Sequence, residues 1–239
     1  MKNDIKISVA IVTYNCASCV KQSLDSVARQ TYKNKEIIVV DGNSSDNTFS
    51  VVNEYAYIPH VFISEKDKGV YDAMNKALKL ASGDFLIFLG ADDLLAHPDV
   101  LSEFSSYVED LDCVYYGNVY RRGRNDMYCG KFNSYKLAVK NISHQALFYP
   151  RSIYKKYSYS MDFKIFADYA YNIILWKHTK FKYLPFLVSV YQQGGLSDVV
   201  KDLPFESSKR RFVIENMGVL PYYYSKLYRF AKLIVTKLK

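Results

Sequence analysis

The feature of this sequence that most constrains its fold is an apolar run that ends in two acidic residues. Residues 85–89 have the sequence FLIFL, and Gly90, Ala91, Asp92 and Asp93 follow directly. Five consecutive apolar residues predict a β-strand that is buried on both faces. Successive side chains of an extended chain point to opposite sides, so Asp92 and Asp93 can serve two different ligand groups.

The adjacent carboxylates allow two interpretations of this strand end. If unpaired, they would repel each other by about 4 kcal/mol at an effective dielectric constant of about 20. A divalent cation would remove this repulsion and would provide a positive centre for a diphosphate group. In the alternative interpretation, the strand runs into a solvated acidic turn and Asp93 caps the next helix.

The first hundred residues alternate between strand patterns and helix patterns. The predicted strands are residues 5–13, 36–40, 60–64 and 85–89, and the predicted helices are residues 18–30 and 71–81. This alternation is typical of an α/β fold with a mostly parallel sheet and helices on both faces. Ligands of such sheets bind beyond the carboxyl ends of the strands. Thr13 and Tyr14 follow the first strand, and Asp41 follows the second. We therefore expect these residues to meet Asp92 and Asp93 at one edge of the sheet.

The pattern is weaker after residue 98. We predict strands at residues 112–118, 143–149 and 181–190, a helix at residues 168–178 and a flexible turn at residues 191–197. Residues 127–132 are interpreted as a segment that pairs with a neighbouring strand.

The composition favours an acidic partner. The net charge of +8 and the pI of about 9.1 suit phosphate groups, nucleic acid or an anionic membrane surface. Nucleic acid is disfavoured because no stacking or groove-reading motif is present. Residues 1–4 show no secretory leader, and no apolar run approaches the roughly 20 residues that cross a bilayer. We therefore expect a cytoplasmic protein whose four cysteines are reduced. Cys16 and Cys19 form a C-x-x-C pattern, which we interpret as two incidental thiols rather than a redox pair.

The end of the chain has a helical pattern with a basic face. In residues 226–239, apolar side chains recur three and four residues apart, at Leu227, Phe230, Ala231, Ile234, Val235 and Leu238. Lys226, Arg229, Lys232, Lys237 and Lys239 supply the other face. This pattern predicts an amphipathic helix that lies on an anionic membrane surface. The alternative is a helix that packs on its own domain and exposes its lysines to water.

Three segments together resemble the inverting family 2 glycosyltransferases, which have the GT-A nucleotide-sugar-binding fold. These segments are SVAIVTYN, QTYKNKEIIVVDGNSSDNT and DKGVYDAMNKALKLASGDFLIFLGADD, and they lie in order between residues 5 and 100. A looser match continues through SHQALFYPR, FADYAYNIILW and YQQGGLS. The GVYDAMNKA variant is most similar to bacterial enzymes of O-antigen, capsule and exopolysaccharide synthesis.

The resemblance implies a GT-A (Rossmann-like), mostly parallel sheet flanked by helices, with a C-terminal amphipathic helical appendage. It implies a glycosyltransferase domain at residues 1–200, with a nucleotide-sugar half at 1–100 and an acceptor half at 101–200. Residues 201–239 would form the helical, membrane-associating segment.

The resemblance also assigns roles to individual residues. Thr13 and Tyr14 would border the nucleotide base, and Asp41 would lie near the base and ribose. Asp72 would lie at the mouth of the donor site. Asp92 would face the ribose, and Asp93 with Asp92 would hold Mg²⁺ or Mn²⁺. Asp168 would be the general base, with Asp162 as its substitute if Asp168 only caps its helix. Many relatives carry Asp where this chain has Gly42 and Gly90, which leaves the identity of the donor base open. His144 is interpreted either as a residue that helps to hold the diphosphate or as a core histidine.

The function that these observations predict is metal-dependent, inverting sugar transfer. The donor would be a nucleotide-diphospho-sugar, with UDP favoured, and the acceptor a hydroxyl of a polyprenyl-diphosphate-linked glycan in cell-surface polysaccharide synthesis. Displacement of a nucleoside diphosphate needs a cation on the leaving oxygens and a carboxylate that takes the acceptor proton. The protein would be peripheral on the inner face of the bacterial plasma membrane. The alternatives are a sugar nucleotidyltransferase, disfavoured because residues 14–21 contain no glycine-rich phosphate loop, and a catalytically degenerate binding module.

Overall fold

A β-sheet with helices on both faces forms the body of the protein. The structure is a computed structural model and describes residues 4–55, 57, 60–128, 130–191 and 202–237. The strands are β1 (Ile7–Thr13), β2 (Lys35–Asp41), β3 (His60–Ser64), β4 (Phe85–Gly90), β5 (Leu94–Leu95), β6 (Val114–Arg121), β7 (Asp126–Tyr128), β8 (Leu147–Pro150) and β9 (Phe181–Tyr191). The helices are α1 (Ala17–Ala28), α2 (Thr48–Asn53), α3 (Val70–Leu80), α4 (Val100–Tyr107), α5 (Ser134–Val139), α6 (Arg151–Tyr154), α7 (Ala167–His178), α8 (Leu203–Met217) and α9 (Val219–Lys237).

The sheet is parallel in its first half and mixed in its second. Its strand order is β3-β2-β1-β4-β8-β6-β9-β5, and β7 pairs with β6. Strands β1 to β4 are parallel to one another, as predicted. Strand β8 is antiparallel to both β4 and β6, whereas β9 is parallel to β6. The predicted α/β architecture is thus confirmed, with a mixed sheet in place of a mostly parallel one.

The register of the parallel strands brings their carboxyl ends to one edge. Thr13 lies opposite Asp41, and Asp41 lies opposite Ser64. On the other side of β1, Val12 lies opposite Gly90. The turn that carries Asp92 and Asp93 therefore begins at the same edge at which β1 and β2 end.

Both faces of the parallel strands are buried, which explains their continuous apolar runs. In β4, Leu86 and Phe88 belong to one apolar cluster, and Phe85, Ile87 and Leu89 belong to the other. The first cluster includes buried residues of α3 and α7, and the second includes those of α1 and α4. Alternate side chains thus anchor opposite helical layers.

The second half of the chain differs from its prediction at one element. The predicted strand at 143–149 begins as a 3₁₀ turn, His144–Ala146, and becomes strand β8 only at Leu147. The turn's Gln145 side chain contacts Asp93, a long-range contact that local pattern does not encode. Helix α7 and strands β6 and β9 lie where predicted, and residues 192–197 of the predicted turn lie outside the described residues.

The two C-terminal helices pack differently. Helix α8 contributes Phe205 and Val213 to the first apolar cluster, next to α7. Helix α9 packs on α5 and α8, with Pro221 and Ser225 buried and most of its apolar side chains exposed. Within the described ranges, no helix is both long and apolar enough to span a bilayer.

The structure corrects the expectation that all four cysteines are reduced. Cys16 and Cys19 form a disulfide, so the interpretation as two incidental thiols is wrong. Cys16 precedes α1 and Cys19 lies in its first turn, which places their Cα atoms 5.4 Å apart, within the range that a disulfide requires. Cys113 is buried and free, and Cys129 lies outside the described residues.

Candidate active site

The end of β1 presents one buried hydroxyl and one exposed ring. Thr13 is buried, and its hydroxyl has no hydrogen-bond partner among the residues that the structure describes. Tyr14 follows it and is 65% exposed. The Gly42 N–H donates to the Thr13 carbonyl at 2.9 Å, so the turn after β2 lies directly beside this ring.

The loop after β1 is joined to the loop after β2 by hydrogen bonds. Asn15 has a positive φ of 48°, its N–H donates to Ser44 Oγ at 2.7 Å, and its Oδ1 accepts from the Ser45 N–H at 2.9 Å. Asp46 Oδ2 accepts from the Ala17 N–H at the start of α1. Hydrogen bonds from Thr48 and from the Ala17 N–H lower the pKa of Asp46. Asp46 therefore serves a helix terminus.

Asp41 lies at the expected edge, but its carboxylate is fully engaged. It is buried, and its Oδ2 accepts from the Ser44 N–H at 2.8 Å and from the Ser64 hydroxyl at 2.6 Å. Its Oδ1 accepts a short hydrogen bond from the Ser44 hydroxyl. Asp41 thus holds the loop that follows β2, and its contact with a nucleotide stays a prediction.

The two carboxylates after β4 occupy different environments. Asp92 is exposed, whereas Asp93 is only 3% exposed. Oδ2 of Asp93 accepts from the Gly90 N–H at 2.7 Å and from Gln145 Nε2 at 3.0 Å. Burial raises the pKa of Asp93 to about 6, although His144 and Gln145 act in the opposite direction. Asp92 is therefore the carboxylate that a solvent-borne ligand meets first.

The chemistry of this pair fits Mg²⁺ or Mn²⁺. Carboxylate oxygens are the ligands these cations prefer, and Mg²⁺ usually takes only one or two from the protein, with the rest from phosphates and water. In the described part of the chain no group of three His, Cys, Asp or Glu residues could hold a metal by itself. The site thus fits a cation that arrives with a diphosphate. Gly90 is part of this arrangement, because a Cβ atom there would lie 2.7 Å from Asp93 Oδ2.

Asp168 lies in the first turn of α7, where three side chains converge on it. It is 8% exposed. Its Oδ1 accepts from the Tyr169 N–H at 2.8 Å and lies 3.0 Å from the Tyr71 hydroxyl, which also makes a shorter hydrogen bond to the Ile165 carbonyl. Its Oδ2 accepts from Asn141 Nδ2 at 2.8 Å and lies 3.4 Å from His144 Nδ1. The N-cap of α7 is Phe166, so Asp168 is not the cap that the alternative interpretation required.

Two asparagine amides behind Asp168 were not identified from the sequence. The Tyr149 hydroxyl donates to Asn172 Oδ1, and Asn172 Nδ2 donates to Asn141 Oδ1, both at 2.9 Å. This fixes the direction in which the Asn141 amide faces Asp168. The available signal was the spacing of Asp168 and Asn172, which share one helix face at i and i+4.

The turn His144–Ala146 joins the two acidic centres. His144 lies beside Asp168, and Gln145 donates to Asp93. Burial lowers the pKa of His144, but Asp168 and Asp93 raise it by more, so the net shift is upward. A cavity of about 250 Å³ lies beside this turn, and its lining includes Tyr71, His144, Gln145 and Asp168. The structure thus places Asp168 at this cavity, and Asp93 is connected to the cavity wall by its hydrogen bond with Gln145.

The remaining predicted acids lie elsewhere. Asp72 is in the first turn of α3, where its Oδ2 accepts from the Lys68 N–H at 3.0 Å and lies 3.9 Å from Lys76 Nζ; its donor-site role stays a prediction. Asp162 is exposed and pairs with Ser160. Asp202, which sequence reasoning missed, accepts from the Ile165 and Phe166 N–H groups just before α7. Its signal was an Asp followed by Pro204 at a helix start.

Comparison with known proteins finds a family model and several sequence relatives. Residues 8–176 match the family model described as Glycosyl transferase family 2. A Mycobacterium bovis protein, named PGL/p-HBAD biosynthesis glycosyltransferase, is 36% identical over 211 residues, which cover 83% of this chain and 81% of that protein. The Escherichia coli UDP-Glc:alpha-D-GlcNAc-diphosphoundecaprenol beta-1,3-glucosyltransferase WfgD is 35% identical over 146 residues, covering 61% of this chain and 56% of that protein.

Solved structures show the same fold. S. aureus TarS 1-349 in complex with UDP-GlcNAc superposes with a TM-score of 0.73 at 19% identity, and the match covers 89% of this chain. The chain spans 66% of that TarS chain. The mannosyltransferase PcManGT of Pyrobaculum calidifontis, in complex with GDP-Man and Mn²⁺, superposes with a TM-score of 0.65 at 17% identity, covering 96% of this chain and 75% of that one.

Proposed function

This chain belongs to glycosyl transferase family 2 and is a glycosyltransferase, and from that premise we propose its reaction. It transfers a sugar, with inversion, from a nucleotide-diphospho-sugar to a hydroxyl of a lipid-linked glycan. The favoured donor is a UDP-sugar, and the product belongs to cell-surface polysaccharide synthesis. The similarity to WfgD, whose name combines a UDP-sugar with a diphosphoundecaprenol acceptor, supports this choice.

The observation that carries the proposal is that the turn His144–Ala146 connects the cavity of Asp168 to the acidic turn after β4. One turn contacts both carboxylates, through His144 and Gln145. In an inverting displacement the base and the leaving group lie on opposite sides of the sugar carbon. Two acidic centres separated by one short turn provide places for both.

Asp168 is the proposed general base. It takes the proton of the acceptor hydroxyl as that oxygen attacks the sugar carbon. Hydrogen bonds from the Tyr169 N–H and from Asn141 hold one carboxylate oxygen each, so the carboxylate keeps one orientation while the substrates bind.

The leaving diphosphate is assigned to the acidic turn after β4. When bound, Mg²⁺ or Mn²⁺ supplies positive charge that stabilises the departing diphosphate. Asp92 is the proposed contact to the cation because it is exposed, and Asp93 holds the turn through Gly90 and Gln145. PcManGT, whose structure contains Mn²⁺, supports a cation in a protein of this fold.

The nucleotide is assigned to the ends of β1 and β2. The Thr13 hydroxyl lacks a partner in the described structure, so a ligand hydroxyl or carbonyl can satisfy it. The exposed ring of Tyr14 offers a surface for a planar base.

The acceptor is assigned to a membrane surface that α9 contacts. Leu220, Tyr223, Leu227, Phe230 and Ile234 are exposed and share one face of this helix; we call them the outer face of α9. The helix carries four Lys or Arg residues and no Asp or Glu. An apolar face flanked by cations suits the anionic cytoplasmic surface of a plasma membrane.

The substitution Asp168→Asn tests the reaction. We expect turnover with a UDP-sugar and a polyprenyl-diphosphate-linked glycan to fall by about 10³-fold, because general-base catalysis contributes on that scale. UDP binding, measured by calorimetry with Mn²⁺, should be unchanged. Asp162→Asn is the matched control, since Asp162 is exposed, and it should keep full turnover. Full turnover by Asp168→Asn would remove Asp168 from its role, and absence of UDP binding by the unsubstituted protein would overturn the proposed function.

A further inference from the structure

A second carboxylate lies at the nucleotide end of the sheet, beside Gly42. Asp67 is in the loop between β3 and α3 and is half-buried. A Cβ atom on Gly42 would lie 2.7 Å from Asp67 Oδ2 and 3.1 Å from Tyr14 Cδ2. The Asp67 carboxylate and the Tyr14 ring therefore border one space, directly above a residue that has no side chain.

One oxygen of Asp67 is engaged and the other is not. Oδ1 accepts from the Gly69 N–H at 2.9 Å, whereas no donor to Oδ2 occurs in the part of the chain that the structure describes. Asp41, the other acid at this edge, has both oxygens occupied by Ser44 and Ser64. Of the two, Asp67 is the carboxylate that can accept a hydrogen bond from a ligand.

From this geometry we infer that Asp67 reads the nucleotide base and selects uracil; the inference rests on the proposed function. The base stacks on Tyr14, and its ring N–H donates to Asp67 Oδ2. Uracil presents one N–H between two carbonyl groups on its pairing edge, which matches a single free carboxylate oxygen. Cytosine places a lone pair at the same position, which the carboxylate repels. Guanine presents two adjacent donors, which suit a carboxylate with both oxygens free, and here Gly69 occupies one of them.

Gly42 has a defined part in this arrangement. A side chain at position 42 would displace either Oδ2 of Asp67 or the Tyr14 ring. Its φ is not in the left-handed region, so Gly42→Ala introduces no backbone strain. We expect this substitution to weaken UDP binding while the melting temperature stays the same.

The test compares nucleotide affinities in the full-length protein. Calorimetry with UDP, CDP and GDP in the presence of Mn²⁺ is performed on the unsubstituted protein, Asp67→Asn and Glu65→Gln. The unsubstituted protein should prefer UDP to CDP by at least about tenfold, because cytosine lacks the donor that the carboxylate accepts from. It should also prefer UDP to GDP, because only one oxygen of Asp67 is available for the two donors of guanine. In Asp67→Asn, UDP affinity should fall about 10- to 100-fold and the UDP-to-CDP ratio should approach one, since an amide can also donate to cytosine. Glu65→Gln removes the same charge from an exposed residue of the same loop and should bind like the unsubstituted protein.

The other outcomes are equally informative. If Asp67→Asn keeps the UDP-to-CDP ratio and only lowers the melting temperature, Asp67 merely closes the turn onto Gly69 and the inference is wrong. If UDP and CDP affinities fall together, the carboxylate acts on the whole ligand and not on the base, which also overturns it. A preference for GDP in the unsubstituted protein would refute the selection of uracil. Failure of all three nucleotides to bind would instead overturn the proposed function, and the inference with it.

Discussion

At the scale of single residues, the orientation of Asp168 depends on hydrogen bonds that begin in the core. Asn172 is fully buried, and it connects the Tyr149 hydroxyl to the Asn141 amide. Asn141 in turn donates to Asp168. Reversal of either amide would break a hydrogen bond on each side, so the two amides have one stable orientation.

Substitution of Asn141 tests this dependence. We expect Asn141→Leu to lower kcat about tenfold or more, because loss of one hydrogen bond to a charged group amounts to about 1.5–3 kcal/mol. The KM for the nucleotide-sugar should stay the same, since Asn141 contacts Asp168 and not the acidic turn after β4. Asn53→Leu, at an exposed position at the end of α2, is the control. A rise in KM with unchanged kcat would show that Asn141 contributes to substrate binding and does not position the base.

The limits of sequence-based prediction are visible in the acids at the strand ends. Asp41, Asp92 and Asp93 were placed correctly at one edge, because register follows from the apolar runs. Which of them is free could not be predicted. Besides their local contacts with Ser44 and Gly90, Asp41 is engaged by Ser64 and Asp93 by Gln145. These two partners are far from them in sequence. A short acidic motif does not encode such contacts, and the same reason hid Asp67 and Asn141.

At the scale of elements, a buried lysine couples α8 to α7, the helix that carries Asp168. Lys209 is 7% exposed, and its Nζ lies 3.1 Å from the Tyr169 hydroxyl and 4.3 Å from the centre of the Tyr169 ring. Burial lowers its pKa from the ordinary value of 10.5 to about 7, and Arg229 acts in the same direction. Protonated Lys209 therefore weakens the packing of α8 on α7.

The stability of the protein should rise with pH because of Lys209. Between pH 7 and pH 10 the unfolded chain holds a proton on this lysine that the folded protein has released, so the free energy of unfolding increases with pH. The downward shift of the Lys209 pKa corresponds to a change of at most about 5 kcal/mol in the free energy of unfolding. In urea titrations, Lys209→Met should be more stable than the unsubstituted protein at pH 7, and the difference should vanish near pH 10.

The exposed Lys33 provides the control for this experiment. Lys33→Met should leave the free energy of unfolding within about 0.5 kcal/mol of the unsubstituted protein at every pH. A difference between Lys209→Met and the unsubstituted protein that does not change with pH would show that Lys209 titrates normally in the folded state.

Element prediction succeeded where apolar periodicity is local. Strands β1, β2 and β4 are continuous apolar runs because both of their faces are buried. The antiparallel insertion of β8 between β4 and β6 was not predicted, since its four residues carry no signal for their partners. Helix α7 was found from its own sequence, whereas its support by Asp202 depends on contacts between residues that are 36 and 37 positions apart.

At the scale of the whole molecule, the C-terminal helix has two contrasting faces. Pro221 and Ser225 are buried against the domain, and Arg229 lies 3.5 Å from Glu206 of α8. The outer face of α9 lies on the opposite side of the helix and is exposed. The packing interpretation and the membrane interpretation of the tail are therefore compatible, since one face of the helix packs on the domain and the other is exposed. Removal of the whole helix would uncover α5 and α8, so substitutions on the outer face are the sharper test.

Replacement of three apolar side chains of the outer face should release the protein from membranes. The triple variant Leu227→Asn, Phe230→Asn, Ile234→Asn keeps the net charge. Each substitution removes a favourable free energy of transfer into the membrane of about 1.5–3 kcal/mol, if the side chain is fully inserted. We expect co-sedimentation with vesicles of mixed neutral and anionic lipid to fall at least about tenfold. Turnover of a detergent-soluble acceptor should be unchanged, because none of the three lines the Asp168 cavity.

The matched control is the triple variant Leu111→Asn, Met161→Asn, Leu203→Asn, which changes exposed residues outside α9. Equal sedimentation of both triple variants would rule out the outer face as the membrane contact, and a vesicle-free dimer that only the α9 variant dissociates would assign that face to a second copy of the chain.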